Sequence, residues 1–321
     1  MQEVKSVRNA DVKGKRVLVR CDLDVLDGTQ VIDARLCAAI PTLKLLRGKE
    51  AAQIVIVGYV GRPGGKVVEE LRVAPVAKRL HELAPGVNFE VKENLRFDPR
   101  EESNEEGFAK ELAGLGDIFV NESFATAHRP YASIVGIPKL LPSYAGLQFM
   151  SEVEHLSHAL TPSPGSIALI AVTKADKIPL INKLATLYDK VLVGGPVPSD
   201  YAPLAPNIVL PVDGIPELKG LLDIGPRTRA AWVQEVAQAP FVLWNGPLGW
   251  YEKGYRESTD AIAEKIISSG VGAVIGGGDT INALKKFKFD PAKVFLSTGG
   301  GAMLQFLVDG TLPGIEALRQ N

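Results

Sequence analysis

The sequence predicts an α/β protein made of two domains, each built on a buried parallel sheet. The chain has 321 residues, which at about 150 residues per domain fits roughly two domains. Hydrophobic residues make up 46 % and charged residues 23 % of the chain, so either half can supply a core of its own. Short β-branched runs alternate with stretches of helical apolar spacing. Strands that alternate with helices in this way are typical of parallel sheets.

The predicted strands are nearly continuous apolar runs, as expected for strands that are buried on both faces. Helical spacing of apolar residues falls between several of these runs. The strands are predicted at residues 16–20, 54–57, 88–91 and 117–120 in the first half and at 167–172, 191–193, 208–210, 241–244, 273–275 and 294–296 in the second, and the helices include 73–83, 106–115 and 258–268.

A domain boundary is predicted near residues 138–146, because this stretch contains both proline and glycine. Residues 147–160 follow with apolar residues on one helical face, and we interpret them as a hinge helix that joins two Rossmann-like parallel-sheet domains. The predicted domains are therefore residues 1–146 and 147–304, with residues 305–321 returning to the N-terminal domain.

The charge and the apolar pattern disfavour a nucleic-acid or membrane partner. The formal net charge is −1, so an anionic ligand would need a local cluster of Lys and Arg. The apolar runs are far shorter than the ~20 residues that span a bilayer, and residues 1–5 lack a hydrophobic signal core. The two cysteines, Cys21 and Cys37, form no CxxC pair, which disfavours a zinc site or a disulfide framework. We expect a soluble, cytoplasmic protein.

The predicted strand ends of the first half carry charged side chains. In open parallel sheets, ligands bind beyond the carboxyl ends of the strands. Arginine suits such a site because its guanidinium binds phosphate or carboxylate in a bidentate way. Scattered surface arginines with acidic neighbours are the alternative, but four in matching positions favour a binding site. The residues concerned are Arg20, Asp22, Asp24, Arg62, Arg96 and Arg129, and Arg35 is expected in a loop after Asp33.

The predicted strand ends of the second half carry glycine instead. Glycine lets backbone N–H groups approach an anion, and a helix N-terminus adds about half a positive charge. We interpret these ends as a polyphosphate cradle, with tight βα turns as the alternative. The ends are Gly194-Gly195, Asn245-Gly246-Pro247-Leu248-Gly249, Gly276-Gly277-Gly278-Asp279-Thr280 and Gly299-Gly300-Gly301. Neither half contains a Walker A motif or a complete GxGxxG fingerprint after a strand.

Three further side chains near these ends are candidates for phosphate chemistry. Asp279 could meet Mg²⁺ on nucleotide phosphates, since Mg²⁺ prefers oxygen ligands, although Asp279 could also cap a helix. Lys174 and Lys177 follow the predicted strand 167–172. They could neutralise a phosphoryl group in transfer, or they could be solvated lysines at the start of a helix.

Ten motifs, in order and nearly from end to end, identify the chain as similar to phosphoglycerate kinases. They are Arg20-Cys21-Asp22-Leu23-Asp24-Val25, Gly61-Arg62-Pro63, Glu93-Asn94-Leu95-Arg96-Phe97, Thr126-Ala127-His128-Arg129, Asp176-Lys177-Ile178, Leu222-Asp223-Ile224-Gly225-Pro226, Trp244-Asn245-Gly246-Pro247-Leu248-Gly249, Gly276-Gly277-Gly278-Asp279-Thr280, Ser297-Thr298-Gly299-Gly300-Gly301-Ala302 and Leu312-Pro313-Gly314-Ile315-Glu316-Ala317-Leu318. The resemblance implies reversible phosphoryl transfer between ATP with 3-phosphoglycerate and ADP with 1,3-bisphosphoglycerate, a carboxyl-group phosphotransferase reaction of glycolysis.

The resemblance also implies a role for each candidate residue. Around 3-phosphoglycerate it places Asp22 and Asp24 at the hydroxyl side, Tyr59 at a position where the family usually has histidine, and Arg35, Arg62, Arg96 and Arg129 at the phosphate and carboxylate. Around the nucleotide it places Gly194, Gly195, Asn245, Pro247, Gly249, Glu252, Gly276, Gly277, Gly278, Thr280 and Lys177, with Asp279 at Mg²⁺. The transferring group would be stabilised by Arg35, Lys174, Lys177, Gly300 and Gly301.

The chain departs from the family pattern at several of these positions. Tyr59 and Tyr131 stand where the family usually has histidine, and Asp24 stands where asparagine is usual, which places a negative charge near an anionic substrate. The spacing from Lys174 to Lys177 is one residue shorter than in the family, which would turn Lys174 by about 100° on a helix.

The chain is also shorter than typical family members. One shortening falls around residues 86–92 and a larger one between Gly195 and Val209. The second segment helps to wall the adenine pocket in the family, so we expect a shallower base pocket and weaker nucleotide selectivity.

The predicted mechanism is direct in-line transfer without a phosphoenzyme, since phosphoryl transfer depends mainly on positioning and charge neutralisation. A hinge closure is expected to exclude water, and a monomer is expected because the family is generally monomeric. A catalytically impaired binding protein of the same family is the main alternative. A Rossmann-type dehydrogenase, suggested only by the α/β pattern, is a third interpretation.

Overall fold

The computed structural model describes residues 3–28, 30–172, 177–195, 201–216 and 222–320. The chain forms two compact units. The first comprises Met1–Val153 and Thr311–Asn321, and the second comprises Glu154–Gly310. Both divisions fall several residues after the predicted limits at residues 146 and 304.

The first unit contains a five-stranded sheet in which all neighbouring strands are parallel. Its strands are β1 (Arg16–Arg20), β4 (Gln53–Val57), β5 (Glu90–Val91), β6 (Ile118–Asn121) and β7 (Ser143–Ala145), and β2 (Leu26–Asp27) and β3 (Gln30–Val31) form a separate antiparallel hairpin. The order across the sheet is β5-β4-β1-β6-β7. The helices are α1 (Asp33–Gly48), α2 (Ala74–Leu83), α3 (Pro99–Glu102), α4 (Glu106–Ala113) and α5 (Leu147–Ala159), and α5 contains the division between the units.

The apolar runs of this unit form strands because both faces of the sheet are covered. Successive side chains of a strand point to opposite faces. Val17 and Val19 of β1 belong to one core cluster with Leu43 of α1, whereas Leu18 belongs to another with Phe108 of α4. Burial on both faces explains why this strand is continuously apolar rather than alternating.

Two local predictions for the first unit are wrong. Arg35 does not lie in a loop, because α1 begins at Asp33 and places Arg35 in its first turn. The strand predicted at residues 88–91 is reduced to the two residues of β5. The stretch 138–146 also contains a strand, β7, that the sequence analysis did not predict.

The second unit contains a six-stranded sheet that is also parallel throughout. Its strands are β8 (Ile167–Ala171), β9 (Lys190–Gly194), β10 (Ile208–Val209), β13 (Phe241–Asn245), β14 (Gly272–Gly276) and β15 (Val294–Ser297), and β11 (Gly214–Ile215) pairs with β12 (Asp223–Ile224) in an antiparallel ribbon. The helices are α6 (Ile178–Ala185), α7 (Pro226–Gln238), α8 (Glu257–Ser269), α9 (Gly278–Leu284) and α10 (Gly301–Asp309). Trp244 of β13 is fully buried in a core cluster with Trp232 of α7 and Ile262 of α8.

The strand order of the second sheet, β10-β9-β8-β13-β14-β15, reverses direction at β8. The first sheet reverses in the same way at β1. Crevices at such reversal points, beyond the carboxyl ends of the strands, are where open parallel sheets bind ligands. The predicted fold class, two α/β units on parallel sheets, is confirmed.

The last helix, α11 (Pro313–Arg319), packs on the first unit. Ile315 and Leu318 of α11 are buried, and the Gly314 amide donates a hydrogen bond of 2.8 Å to the Ala127 carbonyl. Of the helices within the described ranges, none has the length and apolarity that crossing a bilayer requires.

Candidate active site

A cavity of about 250 Å³ in the first unit gathers three of the predicted arginines. Arg62 belongs to the loop that follows β4, Arg96 to a short helical turn after β5, and Arg129 to the segment after β6. The parallel sheet brings these segments together because each follows the carboxyl end of its strand. The cavity is lined by Arg62, Gly64, Arg96, Glu102, Arg129 and Tyr131.

Arg62 and Arg129 are the guanidinium groups of this cavity that remain available to a ligand. Both residues are exposed. Neither guanidinium group makes a hydrogen bond or an ion pair with any other residue in the described ranges. Two unpaired guanidinium groups facing one cavity form a site for a phosphate or carboxylate.

Arg96 lines the same cavity, but both of its terminal nitrogens donate to other residues of the protein. Its Nη1 donates to the Gly61 carbonyl at 2.7 Å and its Nη2 to the Tyr131 hydroxyl at 2.9 Å. Its Nε lies 3.0 Å from Glu102 Oε1. The guanidinium carbon lies 3.6 Å from the centroid of the Tyr59 ring, and the residue is only 6 % exposed. The geometry therefore makes Arg96 a wall of the cavity.

Tyr59 and Tyr131 form the apolar support of Arg96. Their ring centroids lie 6.3 Å apart in an edge-to-face arrangement, and both rings are within cation–π distance of Arg96. Burial raises the pKa of Tyr59. The Tyr59 ring is therefore neutral at physiological pH, where a histidine could titrate.

Asp22, Asp24 and Arg35 form a second cluster beyond β1. Arg35 Nη1 lies 3.2 Å from Asp22 Oδ2 and donates to the Asp24 carbonyl at 3.2 Å. Burial raises the pKa of Asp22, while Arg35 and Arg20 oppose the shift. Asp24 Oδ1 accepts a hydrogen bond of 2.8 Å from the Gly61 amide. The Asp24 carboxylate thus holds the loop that carries Arg62, the cavity arginine that follows Gly61.

A buried ionic network beneath Tyr59 was missed by the sequence analysis. Arg20, Glu101 and Ser133 are all fully buried. Arg20 Nε donates to Ser133 Oγ at 3.0 Å, and the Ser133 amide donates to Glu101 Oε2 at 3.0 Å. Burial raises the pKa of Glu101, and the nearby Arg20 opposes that shift. The one sequence signal of this network was Arg20, a charged residue at the end of the apolar run of β1.

His128 does not add positive charge to the site near neutral pH. Its pKa is lowered to about 4, first by burial and then by the positive charge of Arg129. The anion affinity of this half must therefore come from the arginines.

Lys177 joins the two strands at the reversal point of the second sheet. Its Nζ donates to the Ala171 carbonyl at 2.7 Å and to Asn245 Oδ1 at 2.9 Å. Ala171 ends β8 and Asn245 ends β13, so an amine is held between the two strand ends where a ligand is expected. Residues 173–176, which include Lys174, lie outside the described residues.

The glycine-rich segment after β14 is tied to the same place. Thr280 is fully buried, and its Oγ1 accepts a hydrogen bond of 2.8 Å from the Gly246 amide. Gly277 adopts φ 99° and ψ 130° directly before α9, a conformation open essentially to glycine alone. A Cβ at Gly277 would lie 3.0 Å from Thr280 Oγ1 and 3.1 Å from Asn245 Nδ2.

Asp279 lies in the first turn of α9 and is exposed. The interpretation of Asp279 as a helix cap is wrong, because Gly277 occupies that position and no side chain caps the helix. Gly278, which follows the cap, has open space around its Cα. The carboxylate of Asp279 therefore projects from a bare helix N-terminus.

The second bare helix start is that of α10. Gly300 precedes the helix with φ 52° and ψ −122°, and Gly301 is its first residue, without a side-chain cap. Such a terminus presents free N–H groups and the positive end of the helix dipole. Gly276, at the end of β14, instead packs tightly, because a Cβ there would lie 2.0 Å from Met303 Sδ.

The remaining predicted nucleotide residues lie at the ends of β9 and β13. Gly194 ends β9 and Gly195 follows it. Pro247 and Gly249 belong to the loop after β13, and Glu252 is an exposed residue of the short helical turn Tyr251–Lys253. The shortened segment expected to wall the adenine pocket is described only from residue 201 onward.

The described residues contain no group of three or more His, Cys, Asp or Glu that could hold a metal ion. A protein cage for a cation is therefore not a feature of this part of the chain. An ion shared with a ligand's phosphates needs only one or two carboxylates.

A parallel α/β fold that presents arginines in one unit and an amine with bare helix starts in the other can bind two anionic ligands, as a phosphotransferase must. A family model described as phosphoglycerate kinase matches residues 7–92, 90–201 and 196–310. The chain belongs to the phosphoglycerate kinase family. The family resemblance and the phosphotransferase class predicted from the motifs are confirmed, and the dehydrogenase interpretation is wrong.

Relatives and solved structures agree with this membership. The chain is 35 % identical over 390 aligned positions to a phosphoglycerate kinase of Roseiflexus castenholzii, and 35 % identical over 401 to one of Gloeobacter violaceus, each covering 98 % of both chains. It superposes on the phosphoglycerate kinase structure of Coxiella burnetii with a TM-score of 0.84 and 30 % identity, covering 98 % of both chains. The phosphoglycerate kinase of Pyrococcus horikoshii, at 24 % identity, TM-score 0.84 and the same coverage, supports the fold. Alignments of 390 positions or more over a chain of 321 residues confirm the predicted shortening.

Proposed function

We propose that this phosphoglycerate kinase binds 3-phosphoglycerate in the arginine cavity of the first unit and Mg·ADP or Mg·ATP at the helix starts of the second. The observation that carries the proposal is the pair Arg62 and Arg129, which line one cavity and whose guanidinium groups have no partner in the described part of the chain. A phosphorylated acid supplies the anionic groups that such a pair binds.

In the first unit, Arg62 and Arg129 bind the phosphate of the substrate. Arg35, held by Asp22 and the Asp24 carbonyl, faces the carboxyl and hydroxyl end. Arg96 lines the cavity and positions its walls, because its donors are engaged by Gly61 and Tyr131.

In the second unit, Lys177 and the amides at the start of α9 bind the nucleotide phosphates. The tie between Thr280 Oγ1 and the Gly246 amide holds the two glycine segments in place. Gly194, Gly195, Pro247 and Gly249 border the base, and Glu252 meets the ribose.

Asp279 suits a magnesium ion that is shared with the nucleotide. It is a single exposed carboxylate at a helix start, and Mg²⁺ in kinases is held by one or two carboxylates together with substrate phosphates. When bound, the ion would neutralise charge on those phosphates.

The transfer itself requires positioning and charge neutralisation, since the acceptor is already a carboxylate. Arg35, Lys177 and the free amides at Gly300 and Gly301 supply positive charge to the transferring group. Lys174 is retained as a proposed contributor from the family resemblance. Because each unit carries one half of the proposed machinery, hinge bending belongs to the catalytic cycle. The family resemblance further supports a monomer in the cytoplasm.

A coupled assay of turnover with ATP and 3-phosphoglycerate tests the proposal with the Lys177→Ala variant. Loss of one preorganised charge at the transferring group should lower kcat by about 10²–10³-fold. Lys183→Ala is the matched control, because Lys183 is an exposed lysine of α6, the helix that Lys177 directly precedes. Equal kcat values for wild type and Lys177→Ala would refute the assignment. Calorimetric binding of both ligands without wild-type turnover would instead identify the impaired binding protein.

A further inference from the structure

Glu102 is the one carboxylate among the described residues that line the arginine cavity. Its Oε1 lies 3.0 Å from Arg96 Nε and accepts a hydrogen bond of 3.0 Å from the Tyr131 hydroxyl. Tyr131 in turn accepts a hydrogen bond from Arg96 Nη2 at 2.9 Å. The three side chains form a closed triangle at the cavity wall.

The members of this triangle differ in their access to solvent. The side chain of Glu102 is 46 % exposed, whereas that of Arg96 is 7 % exposed. The carboxylate is therefore more accessible to an entering ligand than the guanidinium with which it pairs.

The lining carries three guanidinium groups and one carboxylate, and 3 − 1 = 2 positive charges remain. A phosphomonoester carries about −1.5 to −2 charges at pH 7. The net positive charge of the lining is thus close in magnitude to the negative charge of one phosphomonoester. Without the carboxylate, the same arginines would attract any small anion more strongly.

We propose that Glu102 is a specificity-determining residue that sets the charge of the substrate cavity. It pairs with Arg96, leaves Arg62 and Arg129 to bind the phosphate, and weakens the binding of small competing anions such as inorganic phosphate. Tyr131 holds the carboxylate in position through its hydroxyl. This inference rests on the proposed 3-phosphoglycerate site.

The test is competitive inhibition of wild-type and variant enzyme by inorganic phosphate against 3-phosphoglycerate. Glu102→Gln keeps the shape and an acceptor oxygen for Tyr131 but removes the charge. Inhibition constants for phosphate should fall about three- to tenfold, a modest change because the group is half exposed and screened. The inhibition should also depend more steeply on salt in Glu102→Gln than in wild type.

Glu102→Asp separates charge from contact. It retains the charge but shortens the reach to Arg96, so its phosphate inhibition should stay near the wild-type value. If Glu102→Asp shows the larger change and Glu102→Gln behaves as wild type, Glu102 acts through its contact with Arg96 and the charge proposal is overturned. An unchanged inhibition constant in both variants also overturns it. Failure of the proposed function would differ, because phosphate would not compete with 3-phosphoglycerate in the wild-type enzyme.

Discussion

Arginines that line one cavity should respond to mutation in opposite ways, depending on whether the protein or the ligand occupies their donors. Arg96 is nearly buried and donates to Gly61 and Tyr131. Arg129 is exposed, and its guanidinium has no hydrogen-bond partner within the described ranges. Arg96→Ala should therefore lower stability most, and Arg129→Ala should lower substrate affinity most.

The magnitudes follow from the contacts that each variant loses. Arg96→Ala removes two hydrogen bonds from a charged donor, each worth about 1.5–3 kcal/mol, so the unit loses roughly 3–6 kcal/mol. For a unit of this size that corresponds to a melting temperature lower by about 6–24 °C. Arg129→Ala should change stability by no more than about 0.5 kcal/mol. Its loss of one charge-assisted contact to the substrate should raise KM by roughly 10–150-fold.

The assay pairs thermal melting of the ligand-free protein with steady-state KM for 3-phosphoglycerate. Arg8→Ala serves as the control, since Arg8 is an exposed arginine remote in sequence from every cavity residue. The reasoning would be refuted if Arg96→Ala melted at the wild-type temperature and matched Arg129→Ala in KM. Arg96 would then be a direct ligand rather than a wall of the cavity.

Two further predictions concern Glu122 and Gly277, the residue directly before α9. Burial raises the pKa of Glu122 to about 8. The folded state therefore keeps a proton that the unfolded chain loses near pH 4.5. Because of this, the free energy of unfolding should fall as pH rises between these two values, by at most about 1.4 kcal/mol per pH unit. Urea unfolding at several pH values should show that Glu122→Gln removes this component, and an identical slope in both proteins would contradict it. Gly277→Ala should cost about 1–3 kcal/mol of strain and weaken ADP binding in calorimetry, because the new Cβ would meet Thr280 Oγ1 at 3.0 Å. Gly310→Ala, with φ 74° and open space around it, should cause similar strain yet bind ADP as wild type does, and equal ADP affinities in the two variants would refute the site assignment.

Much of the candidate site was visible in the sequence because the fold aligns strand ends. Arg62, Arg129 and Asn245 each follow or end a strand of one of the two sheets. A parallel sheet places such positions along one edge whatever the loops do. The prediction of two clusters, one of arginines and one of glycines, needed nothing beyond that rule.

Arg35 and Arg96 show where this rule stops. The sequence analysis expected Arg35 in a loop, but an unrecognised helix, α1, begins at Asp33. Arg96 was predicted to bind substrate, and no strand-end rule could indicate that Tyr131, 35 residues away, would take one of its donors. A side chain's partners, rather than its position, decide whether it remains available to a ligand.

The sequence by itself determined the two-unit α/β fold, the strand ends that face ligands and the family, because all three depend on local patterns of apolar residues, glycines and short motifs. Only the tertiary structure decided which charged side chains bind other residues of the protein and which remain available to a ligand. Arg20 meets Ser133 across 113 residues, and Lys177 meets Asn245 across 68. Such pairs form when packing excludes water and buried polar groups must find partners, a choice that depends on three-dimensional distance and leaves no local mark in the chain.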